Sequence, residues 1–175
     1  MRSTAAVAVV AATLALAALP RTMHAQKLDD PTIVAIFDAA NTADIETGQL
    51  ASGRARNKEV RELGAMFARD HANVREQGRA LARKLGVTPT PPKDNTSAKD
   101  HAAAMAKLRA LSGDAFDRAF LAHEIAYHTA VIDAVTKTLL PAISNGELKA
   151  LVEKVAPAFQ AHLLAAQALE TKLAK

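Results

Sequence analysis

Three prolines crowded into four positions, Pro89, Pro91 and Pro92, constrain this chain more than any other feature. Proline has no amide hydrogen, and its ring collides with the carbonyl one turn back, so the stretch from Val87 to Asn95 cannot be helical. On either side the sequence carries long apolar patterns of helical period, broken only by short turn signals. Asp30-Pro31 predicts a cap and first helical residue, opening a helix over about 31–55. Asn57 caps a second helix that runs to Leu85 and stops at Gly86, a favoured residue just past a helix end. After the prolines comes a short helix over about 98–111. Ser112 then caps a long helix over about 113–138. Pro141 and Asn145-Gly146 make the next turn, and a last helix covers about 147–173 with a kink near Pro157.

These lengths fit one architecture. Each main helix is about 25 residues, roughly 37 Å long. The first joins the second, and the third the fourth, through tight turns, so each pair should form an antiparallel hairpin. The crossover 86–97 with the short helix 98–111 separates the pairs, and ten extended residues span about 33 Å, enough to travel the length of a bundle. The expected fold is all-α: a ferritin-like four-helix bundle of two antiparallel hairpins with a long crossover between helices 2 and 3. Composition agrees. Half of the 175 residues are hydrophobic but only 3% are aromatic, and seven glycines and seven prolines are too few for a small sandwich or barrel. The absence of cysteine excludes a disulfide framework, a thiolate zinc site, an iron–sulfur cluster and a cysteine nucleophile.

Residues 1–25 are read as a leader rather than as part of the fold. Met1-Arg2 is a short basic start, 5–19 is an uncharged apolar run, Pro20 breaks it, and Met23-His24-Ala25 precedes Gln26. This is the layout of a signal peptide cleaved after Ala25. An uncleaved anchor is the other reading, although the run is shorter than the roughly 20 residues of a bilayer span. The mature domain is then 26–175, periplasmic or secreted, without a transmembrane segment. Loss of Arg2 and Arg21 takes 22 basic residues to 20 against 18 acidic. No basic stripe with interleaved aromatics remains, so nucleic acid is not an expected partner.

Helical phase then separates core from surface. With Ile33 as origin and 100° per residue, Phe37, Ala40, Asp44, Thr47 and Ala51 fall within about 40° of one line, and Glu46 lies opposite. His71 lies in the stripe of Val60, Leu63, Phe67, Val74, Gly78, Leu81 and Leu85, with Asp70 at its edge. Glu124 and His128, stacked at i and i+4, share the arc of Phe120, Leu121, Val131 and Val135. His162 lies in the stripe of Leu148, Val152, Val155, Phe159, Leu163 and Ala166. Each polar residue stands about 12–17 residues from its tight turn, so at 1.5 Å per residue all five should meet near mid-bundle. Burying unpaired charge costs several kcal/mol. Asp44, His71, Glu124, His128 and His162 therefore need one another, ordered water, or a metal. One divalent transition ion would neutralise the two carboxylates, and imidazole with carboxylate suits Fe, Mn, Zn, Co or Ni. The alternative is a metal-free hydrogen-bonded network that fixes packing in a structural or interaction module of the cell envelope.

Several segments together resemble an exported bacterial family known as domain of unknown function 4142, which has a ferritin-like fold. They are Asp44-Ile45-Glu46-Thr47-Gly48-Gln49-Leu50-Ala51, Met66-Phe67-Ala68-Arg69-Asp70-His71, Leu111-Ser112-Gly113-Asp114-Ala115-Phe116-Asp117, His128, and Pro157 with His162-Leu163-Leu164-Ala165-Ala166. The similarity spans about 33–173. It implies Asp70-His71, His128 and His162 as signature polar positions, with Asp70 supporting the ligands, and it implies no activity. Di-iron bundles carry Glu-x-x-His on two helices. Here Ala68 and Phe159 stand where those glutamates would be, so a di-iron oxidoreductase is disfavoured and no catalytic residue is assigned. A degenerate oxidoreductase that keeps redox metal chemistry is the third reading. Tyr127 is expected at the edge of the core, packing there or donating to the cluster, and His101 is expected to be solvated. No Ser-His-Asp order and no Gly-rich phosphate loop is visible.

Overall fold

The computed structural model describes residues 28–175, so the leader reading of 1–25 lies outside the described residues. Within them the chain is all-helical. Helix α1 is Asp30–Arg54, α2 Lys58–Leu85, α3 Ser97–Arg109, and α4 Gly113–Ala134. A π-helical turn, Val135–Leu139, and a three-residue helix α5, Leu140–Ala142, follow before α6, Gly146–Leu173.

The ends form for local reasons, with one shift from expectation. Asp29, not Asp30, caps α1: its Oδ1 accepts from Thr32 N at 3.0 Å, and proline falls within the first turn. Asp30 is thereby freed for a longer-range task, accepting from Ser144 N and Asn145 N, both at 2.9 Å. Asp117 does the same at the other end of the molecule. Its side chain, 2% exposed, accepts from Arg56 N at 2.9 Å and Asn57 N at 2.7 Å. Each tight turn is thus held by an aspartate from the opposite helix pair.

Asn57 and Asn145 cap α2 and α6, each accepting two amides of the first turn. Gly86 closes α2 in the left-handed region, φ 65°, with Val87 N donating to Ala82 O at 2.9 Å. A side chain would be strained at that φ. Helix α4 was expected to run on to Thr138, but a π turn replaces its last stretch, and Leu140 N donates to Val135 O. Pro141 follows directly, and the wider turn relieves the collision its ring would make with a carbonyl one turn back. Pro157 lies within α6, which continues through it.

Contacts set the directions. Helix α1 packs along α2, α4 along α6, and α2 also against α6. Arg79 pairs with Asp38, and Arg75 donates to Thr42 Oγ1. Higher numbers on α2 thus meet lower numbers on α1, so the two run antiparallel. Lys84 pairs with Glu147 and Lys172 with Glu59, so α2 and α6 also run antiparallel. The α1–α2 seam is close because it is made of small residues. A Cβ on Gly48 would lie 2.6 Å from Gly64 O, and one on Gly64 would lie 2.8 Å from Gly48 O.

The interior has two apolar clusters. One contains Ile33, Phe37, Val74, Leu139, Leu148 and Val152. The other contains Val60, Phe67, Phe116, Phe120, Leu121 and Ala166. Between them lie Asn41, Asp44, His71, Glu124, His128 and His162, all buried. The polar layer therefore sits at mid-height, held on four helices by two oily ends.

Candidate metal centre

All five residues expected at one level are there, and all are removed from solvent. Asp44 is 3% exposed, His71 1%, Glu124 0%, His128 1% and His162 5%. The rings of His71, His128 and His162 form a triangle with centroids 5.0–5.5 Å apart. Phe159 stacks on His71 with planes 3° apart, and Phe67 lies against His128 and His162, so the rings are held by packing.

Hydrogen bonds decide which nitrogens carry lone pairs. Asn41 donates through Nδ2 to Phe37 O at 2.8 Å, which turns its Oδ1 toward His71 Nδ1 at 2.9 Å. His71 Nδ1 must therefore carry the proton, and its Nε2 is a bare acceptor. His128 Nδ1 donates to the Glu124 backbone carbonyl at 3.0 Å, leaving Nε2 bare and without a partner. His162 has a choice. Its Nε2 faces Asp70 Oδ2 at 3.3 Å, and its Nδ1 faces His71 Nε2 at 3.2 Å. With the proton on Nδ1 it bonds to His71; with the proton on Nε2 it bonds to Asp70, and a third lone pair joins the other two. Such outer carboxylates commonly set the ligating tautomer of a histidine.

Two carboxylates complete the layer. Asp44 Oδ2 is 3.5 Å from His71 Nδ1, and Glu124 Oε2 is 3.4 Å from His128 Nδ1. Asp44 Oδ1 and both Glu124 oxygens are buried without a hydrogen-bond partner. Burial first, then the charge of Glu124 and a hydrogen bond that a proton on Asp44 would make to it, push the Asp44 carboxyl well above its ordinary value. His71 is pushed down to about 2 by burial, and then by His128 and His162. His162 is also lowered, by burial first and His128 next, with Asp70 opposing. Burial therefore favours the neutral, ligating form of His71 and His162.

The five do not form a single shell. Ligand atoms of His71, His128 and His162 lie within 4.8 Å of one another, and so do those of Asp44, Glu124 and His128. An ion with bonds of about 2.0–2.2 Å tolerates ligand atoms up to about 4 Å apart, so each triad needs only a small closure to hold one. His128 belongs to both.

Of the two readings of Tyr127, packing at the core edge is the one seen: its hydroxyl donates to Ala40 O at 3.3 Å, and its ring meets the edge of His128. Burial, and then the charges of Asp44 and Glu124, raise its phenol above its ordinary value. His101 is not simply solvated, because Nε2 pairs with Glu46 Oε2 at 2.8 Å. Phase reasoning missed Asn41, which lies about 80° from the Ile33 line. Its one sequence signal is an amide one helical turn before Asp44.

No curated protein matches the chain. A solved structure titled "CopM in the Cu(II)-bound form" is similar to it with a TM-score of 0.63 at 14% identity. The similarity covers 83% of this chain and 98% of that one. Among the described residues no helix is long and apolar enough to cross a membrane. The model of the family described as "Domain of unknown function (DUF4142)" matches residues 14–169, and the chain belongs to that family.

Proposed function

We propose that this protein is an exported, ferritin-like four-helix bundle that binds one transition-metal ion in its mid-height polar layer. The ligand atoms come from the layer's two overlapping triads, His71, His128 and His162 on one side and Asp44, Glu124 and His128 on the other, and Asp70 holds the His162 tautomer. The observation that carries this reading is the set of orphaned atoms: Asp44 Oδ1, Glu124 Oε1 and Oε2, and His128 Nε2 are buried without partners. A buried polar atom left unpaired costs about 1–3 kcal/mol, more when charged. A proton shared between Asp44 and Glu124 is the metal-free way to pair their oxygens, and it still leaves His128 Nε2 without a partner. A divalent ion can satisfy them together, drawing both carboxylates into their charged form against the burial that favours protonated Asp44.

The donor set of three nitrogens with carboxylate oxygens and no thiolate suits Cu, Zn, Fe or Ni, and divalent copper is bound most tightly by such ligands in general. The copper-bound title of the similar fold makes copper the first ion to try. Residues 1–25 serve as the export signal, which places the site where periplasmic or extracellular metal would reach it. Binding or buffering is the role the layer supports. Glu-x-x-His is incomplete on both helices that would need it, which argues against di-iron oxygen chemistry.

The test is elemental analysis of untagged protein, loaded with Cu(II) or Zn(II) and freed of loose ion by gel filtration. The expected result is one ion per chain in the wild type and none in His128→Ala, with His101→Ala unchanged. Wild-type protein that retains no ion would leave the layer as a structural network.

A further inference from the structure

The polar layer offers two triads that share one histidine, and they differ in charge and softness. His71, His128 and His162 present three imidazole nitrogens and no carboxylate. Asp44, Glu124 and His128 present two carboxylates and one nitrogen. We propose that these are two alternative seats for a single cation, and that the ion's charge decides which is filled. This rests on the metal-binding reading above.

A dication belongs between Asp44 and Glu124. There its two charges are matched by two carboxylates, and the three orphaned oxygens of those side chains all gain a partner. Oxygen-containing ligand sets also suit the harder ion. A soft monocation of the Cu(I) class belongs among the imidazoles. It needs less countercharge, gains from polarisable nitrogen donors, and suits a three-coordinate site closed off by packed rings. Phe67 packs against His128 and His162, and Phe159 stacks on His71, so the triangle is flanked by apolar rings. Because two ions in one dry layer would exceed the negative charge of Asp44 and Glu124, the seats are filled one at a time. Simultaneous filling would bury uncompensated positive charge, which is costly in a low-dielectric core.

Redox-inert probes separate the seats: Co(II) for the dication, through its visible absorption, and Ag(I) in nitrate buffer for the soft monocation. Glu124→Gln should weaken Co(II) about 100-fold or more and Ag(I) at least about 10-fold less than that, because Glu124 is a ligand in one seat and only a neighbour of His128 in the other. His162→Ala should do the reverse. In the wild type Ag(I) should expel Co(II) one for one. Anomalous-scattering peaks from wild-type crystals soaked in each ion should fall at two positions, one beside Glu124 and one beside His162. That measurement needs no variant to fold. A common position for both ions, equal weakening of both by each variant, or simultaneous binding of both would overturn the two-seat proposal while leaving metal binding intact. Wild-type protein that takes neither ion would overturn both.

Discussion

The two apolar ends of this bundle and the polar layer between them obey opposite rules. At the ends every large side chain is matched by neighbours, as where Phe120 packs with Phe67 and Phe116. In the middle layer, side chains equally buried leave oxygen and nitrogen atoms unmatched. The ends spend their residues on stability. The middle gives stability up, which is the cost that an ion bound there would offset. The difference separates scaffold from site without reference to any relative.

The largest effect should come from breaking an end. Phe120→Ala removes a ring that is 0% exposed and should cost about 3–5 kcal/mol in denaturant unfolding. Next is the close α1–α2 seam. Gly48→Ala places a methyl against backbone atoms of Gly64 and Ala68, which cannot swing aside. The loss should be about 1–3 kcal/mol. The middle layer should behave in the opposite sense: in metal-free protein Glu124→Gln should leave stability unchanged or raise it by about 1 kcal/mol or more, because a neutral amide replaces one of two carboxyl groups buried against each other.

Acid sharpens the same contrast. His71 and His162 have folded-state values below their ordinary one, so they contribute stability above about pH 6.5 that is lost as pH falls and the unfolded chain takes up protons. Asp44 is raised, so its penalty is relieved as pH falls through its folded value, opposing that loss. In metal-free Asp44→Asn only the imidazole slope remains, up to ~1.4 kcal/mol per pH unit for each proton. Denaturant midpoints between pH 7 and 5 should therefore fall more steeply in Asp44→Asn than in the wild type. The smallest effect is at the surface. His101→Ala breaks one pair with Glu46 and should change stability by about 1 kcal/mol or less.

Much of this was legible before any coordinates. Helical phase and distance from the tight turns need only the 3.6-residue period, and they brought five residues from four helices to one level. What phase could not supply was depth at the scale of a side chain. It could not divide the five into two triads. Nor could it turn Asn41, which lies off the stripe, toward His71 Nδ1. The aspartate clamps were hidden for another reason. Asp30 meets a turn more than a hundred residues away, and Asp117 meets one sixty residues back. Such pairings depend on how the hairpins dock, and no local pattern carries that. The π turn was hidden because Pro141 shows that a helix must change there without showing how.

The central claim is that the mid-height layer is completed by an ion, and the shift in melting temperature on adding metal tests it most directly. An ion that binds only the folded chain adds about 2.7 kcal/mol at a hundredfold excess over its dissociation constant. For a domain of this size that is a rise of roughly 5–10 °C. Untagged wild type titrated with Cu(II), Zn(II), Co(II), Ni(II), Mn(II) or Fe(II) should show such a rise with at least one of them, and His128→Ala should show none. A wild type whose melting temperature does not move with any of the six, or a His128→Ala variant that rises equally, would contradict the account.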